Sequence, residues 1–203
     1  GPYDLSGVMV DLMLEFEPYD QPFYLPYTLV SYIEYYQMGE LSDYFLPEYA
    51  EMFDYLFDGD YSGSYINSLL PDIPMEVVLP EVIEDFSNNF DHPLRIKLEE
   101  NNLWNWIPEM DMYLFHGVGD ELVPYENSLV AYNSFIEQGA ENVSLYSVPE
   151  EFGGHSDVAI YCLISAYQIS EENYKHIRVV GDINGDTILN IQDIIMLVNF
   201  IIY

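Results

Sequence analysis

Residues 114–157 read LFHGVGDELVPYENSLVAYNSFIEQGAENVSLYSVPEEFGGHSD, and the periodicity in and around them decides the fold. Met110 to Phe115 is a short, mostly apolar run ending in His116-Gly117, the pattern of a buried strand followed by a turn. Residues 126–138 repeat apolar side chains at helical spacing (Leu129, Val130, Tyr132, Phe135, Ile136), and Gly139 supplies the C-cap. Asn142 to Val148 reads as a second strand, and Phe152-Gly153-Gly154 as a loop. Ser156 or Asp157 can cap a final helix from Val158 to about Ile169. Strand, helix, strand, helix implies parallel strands joined by right-handed crossovers, hence an α/β sheet.

Two loops follow the two strands, and each carries one group of catalytic potential: Asp120 in the first and His155 in the second. The carboxyl ends of adjacent parallel strands lie side by side, so residues 35 positions apart can meet there. A carboxylate in that place holds a histidine in one tautomer and stabilises its protonated form. The histidine is then a general base and acid near neutral pH. Taken singly, an Asp after a strand is usually a turn cap and a His in a glycine loop is usually just exposed; the joint spacing carries the reading. His116 is expected to serve the turn, and His92 and His176 have no partner pattern.

With these residues in place, the chain resembles the C-terminal half of an α/β-hydrolase of the esterase/lipase and prolyl-oligopeptidase-like kind. The shared signature covers about 60 residues: a strand, His-Gly-x-x-Asp-x-x-Val-Pro, a helix ending in Gly, a strand, and Gly-His. The resemblance implies that Asp120 is the acid and His155 the base of a Ser-His-Asp triad. It also implies that Gly1 to Gly7 form the turn after the strand that follows the nucleophile helix, and that residues 11–107 occupy the cap position. The family's nucleophile sits in Gly-x-Ser-x-Gly at a strand-to-helix elbow, and no such pentapeptide occurs in the chain. The nearest string, Gly59-Asp60-Tyr61-Ser62-Gly63, has its serine one place late. The expectation is therefore a fragment with two triad members of three, inactive alone, the serine lying upstream. Carboxylic esters are the expected substrates of the parent enzyme. A peptide substrate stays open, as does a non-catalytic anchoring module on a degenerate hydrolase fold.

Before this stretch, residues 1–10 read as a strand exit and turn. Residues 11–107 are rich in Tyr, Phe, Pro and acids, with helical spacing at Tyr27, Val30, Ile33 and Tyr36 and again at Tyr49, Met52, Phe53 and Leu56. Seven prolines between Pro18 and Pro80 divide the region into short pieces, which suits a mobile helical cap. Tyr3, Tyr24 and Tyr27 are expected to pack rather than line a pocket. The expected organisation is an α/β-hydrolase portion over 1–170 with the cap-like insertion 11–107, a linker over 171–180, and a distinct unit over 181–203.

That last unit contains Asp182-Ile-Asn-Gly-Asp-Thr-Ile-Leu-Asn-Ile-Gln-Asp193. Oxygen-bearing side chains fall at loop positions 1, 3, 5, 9 and 12 (Asp182, Asn184, Asp186, Asn190, Asp193), and Ile188 offers its carbonyl at position 7. This is the ligand spacing of an EF-hand-like loop for Ca2+, and a strongly apolar helix follows. Gly181 to Tyr203 resembles a type I dockerin repeat, with Thr187 where that family usually has Gly. Dockerins normally carry two such repeats; one is present. The resemblance implies calcium binding and a cohesin or cell-surface scaffold as partner.

Composition sets outer bounds. With 36 Asp+Glu against 4 Lys+Arg the net charge is −32, which leaves no footprint for phosphate contacts and excludes nucleic acid as a partner. Half of the residues are hydrophobic, so a buried core is expected. The longest apolar runs fall short of the roughly 18 residues of a membrane span. The single cysteine, Cys162, rules out an internal disulfide and is expected to be a buried thiol. The acidity and the dockerin resemblance together point to a secreted, extracellular or cell-surface setting.

Overall fold

The computed structural model describes residues 2–176, 181–185 and 188–202, with the side chains of 173–176 and 200–202 left aside. The chain divides into two compact units, Gly1–Val158 and Ala159–Tyr203.

In the first unit, β1 (Met112–Gly117) and β2 (Val143–Val148) pair in parallel, in register from Met112 opposite Val143 to Gly117 opposite Val148. A parallel pair needs a crossover, and the helix Glu126–Glu137 provides it. Gly139, at φ +97°, ends that crossover. Ala131 and Phe135 on its inner face are fully buried against Leu114 and Val143. Both strands start about two residues and one residue later than the sequence suggests, within the usual fraying of boundaries.

The region before the sheet folds into α1 (Val10–Leu14), α2 (Tyr24–Tyr36), α3 (Pro47–Leu56), α4 (Gly63–Asn67), α5 (Pro80–Asn88) and α6 (Pro93–Glu100), which makes the crossover helix α7. Three of the prolines begin α-helices rather than break them. Pro47, Pro80 and Pro93 are each the first residue of a helix, where the missing N–H is not needed and φ is already helical. These helices enclose their own core, with Ile33, Phe45, Phe53, Leu56 and Val77 almost completely buried. Phe45 and Phe53 meet edge to face at 4.9 Å.

The first residues form a π-helical turn, Leu5–Met9, running into α1, not the strand exit read from the sequence. Asp4 fixes it: its carboxylate accepts Val8 N–H at 3.0 Å and the Trp104 indole at 3.1 Å. The Asp4 amide in turn donates to Oδ1 of the fully buried Asn127 on α7 at 3.0 Å. The bonds to Trp104 and Asn127 span 100 and 123 residues, so no local pattern announces them.

The last helix of the sheet region, α8 (His155–His176), starts earlier and ends later than predicted, so residues 171–176 of the segment read as a linker are helical. Residues 177–180 lie outside the described residues. Cys162 is half-buried rather than buried. In the second unit, α9 (Ile191–Ile202) follows the loop 182–193, and Ile191, Ile194, Ile195 and Leu197 are exposed on it.

His92, assigned no role from the sequence, is buried and caps α6: its Nδ1 accepts the Leu94 N–H at 3.2 Å. Burial lowers its pKa below 6.5, against a smaller upward pull from Asp85. The neutral ring is therefore the stabilising form, and its contribution is present above pH 6.5 and lost as pH falls through the lowered folded value. Urea unfolding of the chain should show stability dropping on acidification from pH 7.5, by about 1 kcal/mol for the cap. In His92→Asn, whose side chain can cap without titrating, that part of the drop should vanish.

Candidate active site

Asp120 follows the end of β1 and is nearly buried, with a side chain 5% exposed. One of its oxygens, Oδ1, accepts the backbone N–H groups of Leu122 at 3.0 Å and Val123 at 2.8 Å. This local turn fixes the direction of the carboxylate. The other oxygen, Oδ2, lies 2.7 Å from His155 Nδ1. A carboxylate only accepts, so Nδ1 carries the proton and donates it, leaving Nε2 with a free lone pair. The His155 side chain is 46% exposed. The pair read from the sequence is thus brought together.

His155 opens α8, and its backbone N–H donates to Glu121 at 2.9 Å. Asp157 caps the same turn by accepting the Gly154 N–H at 3.2 Å. The acid loop and the histidine loop approach closely where Gly119 sits. A Cβ there would stand 3.0 Å from Glu150 Cγ and 3.2 Å from the Gly153 carbonyl. Gly153 itself has φ +101°, a conformation only glycine adopts freely.

His116 serves the turn, as expected, and does so through both nitrogens. Its Nε2 donates to the Val123 carbonyl at 2.8 Å, and its Nδ1 accepts the Ser128 hydroxyl at 2.6 Å. Nε2 also lies 3.3 Å from Asp120 Oδ2. Two contributors escaped the sequence reading. Glu121 is the loop's brace on His155. Tyr19, buried in the helical region, donates its hydroxyl to the Leu122 carbonyl at 2.8 Å. Burial raises the Tyr19 hydroxyl above its usual pKa, so it keeps this proton. Tyr19 and Leu122 are 103 residues apart, and only the fold reveals the bond.

A cavity of about 430 Å³ reaches from the helical region to His155; Leu29, Val78, Phe86 and Leu98 are among its walls. Tyr24 lines it, contrary to the expectation of packing alone, whereas Tyr27 stands 52% exposed. A smaller cavity of about 140 Å³ is bordered by Tyr3, Phe115, Asp120 and His155. Ser62, of the near-miss pentapeptide, is a helix cap: its Oγ accepts the Tyr65 N–H at 3.3 Å at the start of α4.

In the second unit, the loop read as a calcium site has its end carboxylates turned inward, Asp182 and Asp193 both being buried. Asp193 accepts the N–H groups of Asn190 and Ile183 at 2.9 and 2.8 Å, and these backbone bonds lower its pKa. Asp182 accepts the Gly185 N–H at 2.7 Å. The Asn190 side-chain amide donates to the Ile188 carbonyl at 3.1 Å, while Asn184 points its amide at Gln192, 3.5 Å away. Asp186 lies outside the described residues. Among the described residues, no three acidic, His or Cys side chains gather closely enough to hold a metal ion.

A parallel strand pair carries an Asp–His couple at its carboxyl end, and the fold is esterase/hydrolase-like. The rice cell wall degrading esterase LipA from Xanthomonas oryzae superposes with a TM-score of 0.68 at 26% identity, covering 85% of this chain and 46% of that one. A Legionella pneumophila protein to which a hydrolase function is ascribed gives a TM-score of 0.75 at 25% identity, covering 84% and 46%. The chain thus spans about half the length of the structures it resembles. No family model and no curated protein matches it.

Gly153 tests how far the histidine loop depends on its backbone. Gly153→Ala forces a side chain into a glycine-only region and against Asp157, at a cost of about 1–3 kcal/mol. The downfield resonance expected for the His155 Nδ1 proton should weaken or disappear, while the dispersion of signals from the helical core is retained.

Proposed function

We propose that these residues form the part of a serine hydrolase that holds and orients its general base, and that the substrates are carboxylic esters. The carrying observation is the 2.7 Å bond from His155 Nδ1 to an Asp120 carboxylate already fixed by two backbone amides. Support comes from the esterase and hydrolase structures the chain resembles. The absence of Gly-x-Ser-x-Gly and the half-length coverage favour a nucleophilic serine outside these 203 residues.

In this reading His155 Nε2 takes the serine proton as the serine oxygen adds to the ester carbonyl. Asp120 stabilises the resulting imidazolium without itself taking the proton. His155 then returns the proton to the departing alkoxide as the carbon–oxygen bond of the ester breaks, leaving an acyl-serine. Water, activated by the same nitrogen, releases the acid. Asp120 and Glu121 keep Nε2 aimed throughout.

We further propose that the tail binds Ca2+ through Asp182, Asn184, Asp186, the Ile188 carbonyl, Asn190 and Asp193. The supports are the loop spacing, an all-oxygen donor set suited to a hard cation, and two buried carboxylates. Calcium would neutralise them and tie the loop to α9, whose exposed apolar residues suit a cohesin on an extracellular scaffold. A secreted location goes with that reading.

In the complete enzyme, Asp120→Asn should lower kcat about 10,000-fold with KM little changed, because the wrong tautomer is then favoured. His155→Ala should do at least as much. A serine-directed fluorophosphonate should leave these 203 residues unlabelled, and stoichiometric labelling of one serine among them overturns the proposal. Adding Ca2+ to the chain should raise the helical signal and the Tm of the tail, and Asp182→Ala should abolish the response.

A further inference from the structure

His116 is held more tightly than a turn requires. A turn needs one donor for the Val123 carbonyl, which a main-chain amide can supply. Here the donor is a ring at the end of β1 whose side chain is 11% exposed, with the Tyr125 ring edge to face at 5.6 Å. A carbonyl only accepts, so the 2.8 Å bond to Val123 puts the ring proton on Nε2. Nδ1 is then an acceptor, and the hydroxyl of Ser128, buried in the first turn of α7, donates to it at 2.6 Å. The tautomer of His116 is thereby fixed from both sides. It is opposite to that of His155, whose proton is on Nδ1. The two rings flank one oxygen: Asp120 Oδ2 lies 2.7 Å from His155 Nδ1 and 3.3 Å from His116 Nε2. Val123 joins the two sides, its carbonyl held by His116 and its amide donating to Asp120 Oδ1 at 2.8 Å.

We propose that His116, its tautomer set by Ser128, is a positioning residue for the Asp120–His155 couple. The positive end of the Nε2–H dipole faces Oδ2 and, with the grip on Val123, keeps that oxygen turned toward His155 Nδ1. His155 in turn keeps its proton on Nδ1 and its lone pair on Nε2, the arrangement a general base needs. The inference rests on the proposed hydrolase reading for its effect on catalysis; the tautomers belong to these 203 residues whatever they catalyse.

The ring nitrogens are read by long-range 1H–15N correlation on the chain, at about pH 9, well above the ordinary histidine range. The wild type should show opposite tautomers, Nε2–H at His116 and Nδ1–H at His155; the same tautomer at both overturns the proposal. His116→Gln carries an amide N–H where the ring has Nε2–H and should keep His155 as Nδ1–H. His116→Asn places its polar atoms near Ser128 but falls short of Val123 and Asp120. It should let His155 drift to a mixture of tautomers while the signal dispersion of the helical core is retained. Ser128→Ala leaves the ring in place and removes what fixes its tautomer, so it should move His155 the same way by less, even where His116→Asn fails to fold. A role confined to the turn would lower the urea midpoint of these variants and leave His155 as Nδ1–H, and that result overturns the proposal. In the complete enzyme, His116→Asn should lower kcat about 10- to 100-fold with KM little changed, the worth of one hydrogen bond to a charged group. His116→Gln should retain most of the rate. Ester hydrolysis that needs Asp120 and His155 but is indifferent to both His116 variants sinks the positioning role and leaves the esterase reading standing. The expected tautomer changes, with no ester hydrolysed by the complete protein, do the reverse.

Discussion

The parallel pairing of β1 with β2 is the constraint on which the site depends. Parallel neighbours cannot be joined by a tight turn, so the chain must cross over through α7, whose apolar face covers the sheet. That crossover returns the chain to the same end of the sheet and sets the loop after β1 beside the loop after β2. Asp120 and His155 meet because the register matches Gly117 with Val148, leaving both loops to start level. A shift of one pair would move the loop starts by about 3.3 Å, more than a hydrogen bond tolerates.

Around that pair, the structure spends backbone amides rather than positive charge. Among the described residues no Lys or Arg is paired with Asp120; the amides of Leu122 and Val123 and the His155 Nδ1–H donate to it instead. The same economy recurs at Asp4, bonded to an amide and an indole, and at Asp193. A protein with 36 acidic residues can bury some of them only where such donors converge.

What could be read in advance follows the range of the interactions involved. The two strands, α7 with its glycine stop, and the Asp120–His155 couple depend on periodicity and on loop positions that topology brings together, so the linear pattern contains them. Asp4, Asn127 and Tyr19 act on partners about a hundred residues away, and nothing near them in the chain marks the partner. The buried core of the helical region was illegible for another reason. Proline is a helix breaker inside a helix and a helix starter at its first residue, and only the placement of the flanking helices separates the two. Pro47 and Pro80, counted in the sequence as cuts in the region, stand in the structure at the first residue of helices that surround a closed core.

Tyr19 sits on two structures at once. Its ring is part of the cavity wall, and its hydroxyl holds the Leu122 carbonyl, while the amide of the same residue holds Asp120. One residue of backbone therefore separates the cavity wall in the helical region from the carboxylate bonded to His155. Anything in the cavity that steadies the Tyr19 ring also steadies the acid loop, and by thermodynamic reciprocity an ordered acid loop favours an occupied cavity. The arrangement makes the wall of the cavity and the support of Asp120 a single coupled element, carried by one phenol.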